Sequence, residues 1–131
     1  MIGAVHVDSG LFVWCPWRKF VPGPVHDSLL CEYTGYESQM QPGEFGMGDK
    51  GYEGHRRILH PFKGAEELLS PSQLAWNRSL HTVRPLVERT FGRLKEFKAL
   101  SDVWKHALKM HPFVFAVGAH STNLKIKLHP L

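Results

Sequence analysis

Asp49 and Glu88 are the residues of this chain from which chemistry is most directly built. Asp49 stands in Gly48-Asp49-Lys50-Gly51-Tyr52, and Glu88 in Val87-Glu88-Arg89-Thr90-Phe91-Gly92-Arg93-Leu94-Lys95. The first string is expected at a strand end, between glycines that let a backbone or a phosphate come close. The second is expected on a basic helix, where Arg89, Arg93 and Lys95 are able to hold a polyanion. Carboxylates for a divalent metal beside cations for phosphate point to phosphoryl transfer on nucleic acid.

The helix that carries Glu88 has a legible start. Ser70 is a cap, Pro71 suits the first helical position, and Gln73 can reach back as a capping-box partner. From Pro71 towards Lys98, Leu80, Val83, Val87, Phe91 and Leu94 recur at spacings of three and four and describe one buried face. Arg84, Glu88, Gly92 and Lys95 share another face, which Gly92 leaves open one turn beyond the carboxylate. The bland reading of that face is an Arg84–Glu88 pair with a glycine easing helix packing. Pro85 removes a helical hydrogen bond three residues before Glu88 and is expected to interrupt the helix there.

Taken together, these strings resemble the carboxyl-terminal part of a Harbinger-type DDE transposase, one of the DDE superfamily endonucleases. The matching segments, in the family's order, begin with Pro22-Gly23-Pro24-Val25-His26-Asp27-Ser28 and Gly48-Asp49-Lys50-Gly51-Tyr52. Ile58-Leu59-His60-Pro61-Phe62-Lys63 follows, then Leu69-Ser70-Pro71 through Asn77, and finally Val87-Glu88-Arg89 through Lys95. The resemblance implies a ribonuclease-H-like fold in which three acids bind two Mg²⁺ ions for strand cleavage, with Asp49 as the second acid and Glu88 as the third. Pro85 is a departure from the family's pattern and bears on the aim of Glu88.

The first acid of the family lies upstream of the Pro-Gly string, in an Asp-Gly-rich strand with no counterpart here, so the expectation is that this chain lacks it. Without that central strand its neighbours should carry exposed edges and be prone to associate. Asp8, in Asp8-Ser9-Gly10 between two apolar runs, reads as a turn residue rather than a ligand. Asp27 is expected to cap the helix that begins at Ser28. A metal role for Asp27 is compatible with capping, because ribonuclease-H-like folds often bring an acid from the first helix to the cluster.

Composition fits one domain over residues 1–131, with 43% hydrophobic residues and a formal charge of +4 that favours a polyanionic partner. Cys15 and Cys31 make neither a metal-ligand spacing nor a disulfide framework. The start has no signal-peptide pattern, and the longest later apolar stretch, Phe113 to Ala119, is too short to span a bilayer. Gly46-Met47-Gly48-Asp49-Lys50-Gly51 satisfies a dinucleotide pattern of glycines but lacks the strand before it and the helix after it. His55/His60 and His106/His111 are five apart, a spacing that does not share a helix face, so most of the nine histidines read as surface or packed residues.

The remaining elements are strand, turn, strand over residues 3 to 20, a Pro-Gly-Pro loop, and a helix opened by His26-Asp27-Ser28. A Gly-rich segment follows, with a short strand around Glu44 to Met47. A last strand within Arg57 to Phe62 and a single turn at residues 64 to 68 complete the first half. Ser101-Asp102 is expected to start a further helical region with Trp104, Ala107 and Leu108 on its apolar face, restarted at Pro112. Phe113, Val114, Phe115 and Val117 look buried on most sides. Leu124, Ile126 and Leu128 alternate with Lys125 and Lys127, as in a short strand.

The sequence thus reads as an α/β, partial ribonuclease-H-like domain: a short mixed sheet, flanking helices and a long carboxyl-terminal helical region. By resemblance its ancestral reaction is Mg²⁺-dependent (or Mn²⁺-dependent) phosphodiester hydrolysis or strand transfer on DNA, inactive in this fragment. The metal set is Asp49 and Glu88 with Asp27, and the nucleic-acid set is Lys50, Arg84, Arg89, Arg93 and Lys95. The alternative is a non-catalytic module that binds nucleic acid or protein. Expected partners are DNA, bound weakly and without sequence preference, a Myb-like DNA-binding companion as in the family, and a second copy through an exposed sheet edge. The family resemblance implies a nuclear protein.

Overall fold

The computed structural model describes residues 2–16, 18, 19, 21 and 24–131, so the Pro22-Gly23 start of the first family string lies outside it. The chain divides into two compact units, Met1–Pro24 with Pro85–Leu131, and Val25–Arg84.

In the first unit, β1 (Ala4–Val5) and β2 (Phe12–Trp14) pair antiparallel, with Ala4 opposite Trp14 and Val5 opposite Phe12. The turn between them closes through the His6 amide to the Leu11 carbonyl and the Gly10 amide to the His6 carbonyl. Asp8 sits exposed at its tip, in the turn role expected of it. Three helices follow: the end of α3 (Pro71–Leu94), the single turn α4 (Lys98–Ser101) and α5 (His111–Leu128). The core gathers Phe12, Leu94, Leu100, Phe115 and Ala119. Phe12 meets Phe91 and Phe115 edge-on, at 5.1 and 6.2 Å between ring centroids. A Cβ at Gly118 would stand 2.5 Å from Leu100 Cδ1 and 3.1 Å from Leu94 Cδ1, so the glycine sets how closely α5 packs on this core.

The tail differs from its sequence reading. Residues 111 to 128 form one continuous helix, with no strand at its end, because Pro112, Phe115, Ala119, Thr122 and Ile126 are buried at alternating steps of three and four. Period 3.6 thereby prevails over the local alternation of Leu and Lys. Phe113 and Val117, expected inside, are 48% and 66% exposed. Ser101-Asp102 ends α4 rather than starting a helix, and Trp104 lies in a non-helical segment against His106 and His111.

In the second unit, α1 (Asp27–Thr34) ends at Gly35 in the left-handed conformation, and α2 (Tyr36–Gln39) follows at once. Strands β3 (Gly46–Met47) and β4 (Ile58–Leu59) pair in parallel. The expected short mixed sheet is therefore two separate two-stranded sheets among the described residues, one antiparallel and one parallel. The helix α3 starts as predicted, with the Ser70 amide donating to Gln73 Oε1 and the Gln73 amide to Ser70 Oγ. It runs through Pro85 without a break, and the division between the two units falls at that proline.

Neighbouring residues of α5 should respond in opposite directions to substitution. Asn123 Oδ1 accepts from the Phe12 amide at 2.7 Å, and its Nδ2 donates to the Phe12 carbonyl at 2.8 Å. Asn123→Ala therefore leaves two strand groups unpaired and should cost about 1–3 kcal/mol. Thr122 Oγ1 is buried with no hydrogen-bond partner, so Thr122→Val should raise stability by about 1 kcal/mol. Urea unfolding of the two variants checks both signs.

Candidate nucleic-acid and metal site

The Asp49 turn is built by the short parallel connection between β3 and β4. The Gly46 amide donates to the Arg57 carbonyl and the Gly48 amide to the Leu59 carbonyl, so the chain leaves the sheet at Gly48. Asp49 then caps a 3-10 turn, Lys50–Tyr52, its Oδ1 accepting from the Gly51 amide at 2.8 Å. A Cβ at Gly48 would lie 2.5 Å from the Tyr52 ring. One at Gly51 would lie 2.7 Å from the His26 ring and 2.9 Å from Asp49 Oδ1. The two glycines of the string thus make room for Tyr52 and for His26, and His26 and Asp49 converge on Gly51.

His26, rather than Asp27, caps α1. Its Nδ1 accepts from the Ser28 amide at 3.3 Å, while Asp27 is the first helical residue and is exposed. The acid is thereby left in the helix's first turn, where a negative charge is favoured by the helix dipole. Asp27 and Asp49 share the surroundings of Tyr52. Burial first, then the charges of Asp27, Cys31 and Asp49 with a contribution from Tyr36, push the Tyr52 hydroxyl well above its ordinary value.

Two residues hold this region together, and no local motif marks either of them. His55 Nε2 bonds Ser28 Oγ at 2.8 Å, and its Nδ1 bonds Glu37 Oε1 at 2.8 Å, joining the starts of α1 and α2 to the loop after Asp49. The Arg57 guanidinium donates to the carbonyls of Glu37, Met40, Gln41 and Glu44, which fixes the approach to β3. Their partners lie 13 to 27 residues away, beyond any local motif. Asn77, the end of the fourth family string, accepts from the Phe62 amide at 2.8 Å and donates to its carbonyl at 3.1 Å.

Glu88 lies on the part of α3 that belongs to the other unit. Glu88, Arg84, Gly92 and Lys95 are all exposed, in agreement with the shared face read from their spacing, and a Cβ at Gly92 would meet nothing within 4 Å. Arg89 and Lys50 are exposed as well. Arg93 is engaged elsewhere: its guanidinium donates to the carbonyls of His129 and Pro130 and ties α3 to the end of the chain.

Within either unit, the described residues bring no three His, Cys, Asp or Glu side chains together as a metal ion would require. The charges of Asp49 and Asp27 both act on Tyr52, and one oxygen of Asp49 is already committed to the Gly51 amide. The set present among the described residues is not a complete divalent-metal centre. Among the described residues, no helix is long and apolar enough to cross a membrane.

The comparisons with known proteins agree with these strings. A family model described as DDE superfamily endonuclease matches residues 4–119. Neither the curated proteins nor the solved structures compared with the chain yield a match.

Cys31, Tyr36 and Tyr52 give a pH prediction. Burial raises the Cys31 thiol to about 11 and also raises the hydroxyls of Tyr36 and Tyr52. Between the ordinary values of 9.0 and 10.0 and these raised ones, the unfolded chain has lost protons that the folded chain keeps. Stability should therefore be unaffected by these groups at neutral pH and fall as pH rises past about 9. Tyr52→Phe should flatten that fall, measured as the urea midpoint against pH.

Proposed function

The chain belongs to the DDE superfamily endonucleases, of Harbinger type, and on that premise we propose that residues 1–131 form one transposase-derived domain that holds DNA by its phosphate backbone. Its ancestral reaction is metal-dependent phosphodiester hydrolysis or strand transfer, and this chain by itself does not carry it out. The observation that carries this reading is the exposed face of α3, where Glu88 stands among Arg84, Arg89 and Lys95 with the surface opened by Gly92. Asp49 and Glu88 are the acids that this reading assigns to one metal site. Asp27 contributes charge from the first turn of α1, beside the Asp49 turn.

The basic residues are assigned two roles. Arg84, Arg89, Lys95 and Lys50 contact phosphates, which gives affinity without sequence preference. Arg93 positions the helix through its bonds to the terminal carbonyls. Sequence would then be read by a separate Myb-like companion, and the nucleus is the compartment where these parts meet their substrate.

The alternative is a non-catalytic module that binds nucleic acid or protein, which the exposed cations of α3 would serve equally. The two readings share the DNA-binding face and differ only in chemistry.

Binding of short duplexes, followed by fluorescence anisotropy across a salt series, should be weak and indifferent to sequence. Replacing Arg89 and Lys95 by alanine should lower the magnitude of the log–log salt slope by about 2, since each phosphate contact contributes about 0.9. An unchanged slope would remove α3 from the contact surface. For the metal, weak Mn²⁺ binding measured by electron paramagnetic resonance should drop in Asp49→Ala and in Glu88→Ala. Ligands of one ion act as a unit, so the double variant should lose no more than the larger single loss. Purified chain should show no Mg²⁺- or Mn²⁺-dependent DNA cleavage above that double variant.

A further inference from the structure

Helix α5 carries two apolar edges, and only one of them faces the core. The second is formed by Phe113, Val117, Leu124 and Leu128, each 48% to 66% exposed, with exposed His120 between them. Their spacing of four, seven and four residues is the same read in either direction. Beside them lies a groove of about 360 Å³ lined by Cys15, Phe113, Ala116, Val117 and His120.

We propose that this edge is a homodimer interface, covered by α5 of a second copy lying antiparallel about a two-fold axis between His120 and Ser121. That axis sets Phe113 opposite Leu128 and Val117 opposite Leu124, so every apolar residue of the edge meets an apolar residue of the other copy. Such self-complementarity is what an isologous contact demands. Charge selects the same arrangement. Lys127 falls opposite Val114, whereas a parallel pairing would set it beside its own copy and oppose like charges; Lys125 is already paired with Glu96 in its own chain.

The groove supplies the occupant's seat. In the antiparallel register the second copy's α5 brings Leu124 and Leu128 to the end of the helix where Cys15, Phe113, Ala116 and Val117 lie. Four side chains on one helical edge cover an apolar area on the order of a few hundred Å² per copy, below the roughly 800 Å² per partner of a standard interface. The dimer is accordingly weak and concentration-dependent. It uses neither Asp49 nor Glu88 nor any sheet edge, and it stands apart from the reading of the DNA-binding face.

Sedimentation velocity of the full chain over roughly two decades of concentration around the micromolar range should show a shift from monomer to dimer. Val117→Asp and, separately, Leu124→Asp should each weaken the dimer at least about tenfold by burying an unpaired carboxylate. Both positions are solvent-exposed in the monomer, and far-UV circular dichroism should confirm unchanged helix content; either variant alone suffices for the test. A chain carrying both Val117→Glu and Leu124→Lys should dimerise again, because the antiparallel register opposes these positions across the axis. A monomer at every concentration overturns the proposal, as does a dimer indifferent to both aspartates. A double variant that stays monomeric overturns it too, because it removes the antiparallel register.

Discussion

Backbone polar groups that strands of two or three residues and the loops beside them cannot satisfy by themselves are the constraint on which both units of this protein depend. A strand this short makes few ladder bonds, and an unpaired buried amide or carbonyl costs about as much as a lost hydrogen bond. In each unit a helix answers with one asparagine that presents its side-chain amide as an edge partner. Asn123 of α5 pairs with both backbone groups of Phe12, and Asn77 of α3 with both groups of Phe62. The first of these places the Phe12 ring between Phe91 and Phe115, and the core of that unit is arranged around it.

The Asp49 turn depends on the same economy of polar groups. Arg57 supplies donors to four carbonyls that no strand reaches, and His55 spans from Ser28 to Glu37. Neither residue carries chemistry, yet both fix the loop from which Asp49 projects. Their removal would act through geometry, since a carboxylate shifted by about 1 Å loses much of its use in catalysis. Gly48 and Gly51 complete the turn by leaving the space that Tyr52 and His26 occupy.

Family membership and site geometry meet at different strengths along the chain. The family match spans residues 4–119 and includes both carboxylates. Glu88 stands exposed on an open helical face, and Asp49 caps a turn with one oxygen still available beyond the Gly51 amide. A DDE centre stabilises the attacking and leaving oxygens together through paired ions, and that demands more converging carboxylates than the described residues of either unit assemble. Phosphate binding asks less, because exposed cations act at a distance and tolerate imprecise placement.

Local signals in the sequence determined the helix start at Ser70 and Gln73, the Asp8 turn, the short strands, and the exposed face of Arg84, Glu88, Gly92 and Lys95. Each depends on residues within four positions of one another, where capping, turn chemistry and helical period operate. Tertiary structure decided the rest. His26 took the cap expected of Asp27. Arg93, read from the sequence as a phosphate contact, also bonds the carbonyls of His129 and Pro130, partners that only folding brings to it. The end of α5 became helix because Thr122 and Ile126 continue a seam buried against the core, a fact that Leu and Lys alternation could not carry. His55 and Arg57 were illegible for the same reason: their partners are brought to them only by folding, and the energy that selects them comes from desolvated groups distant in the chain.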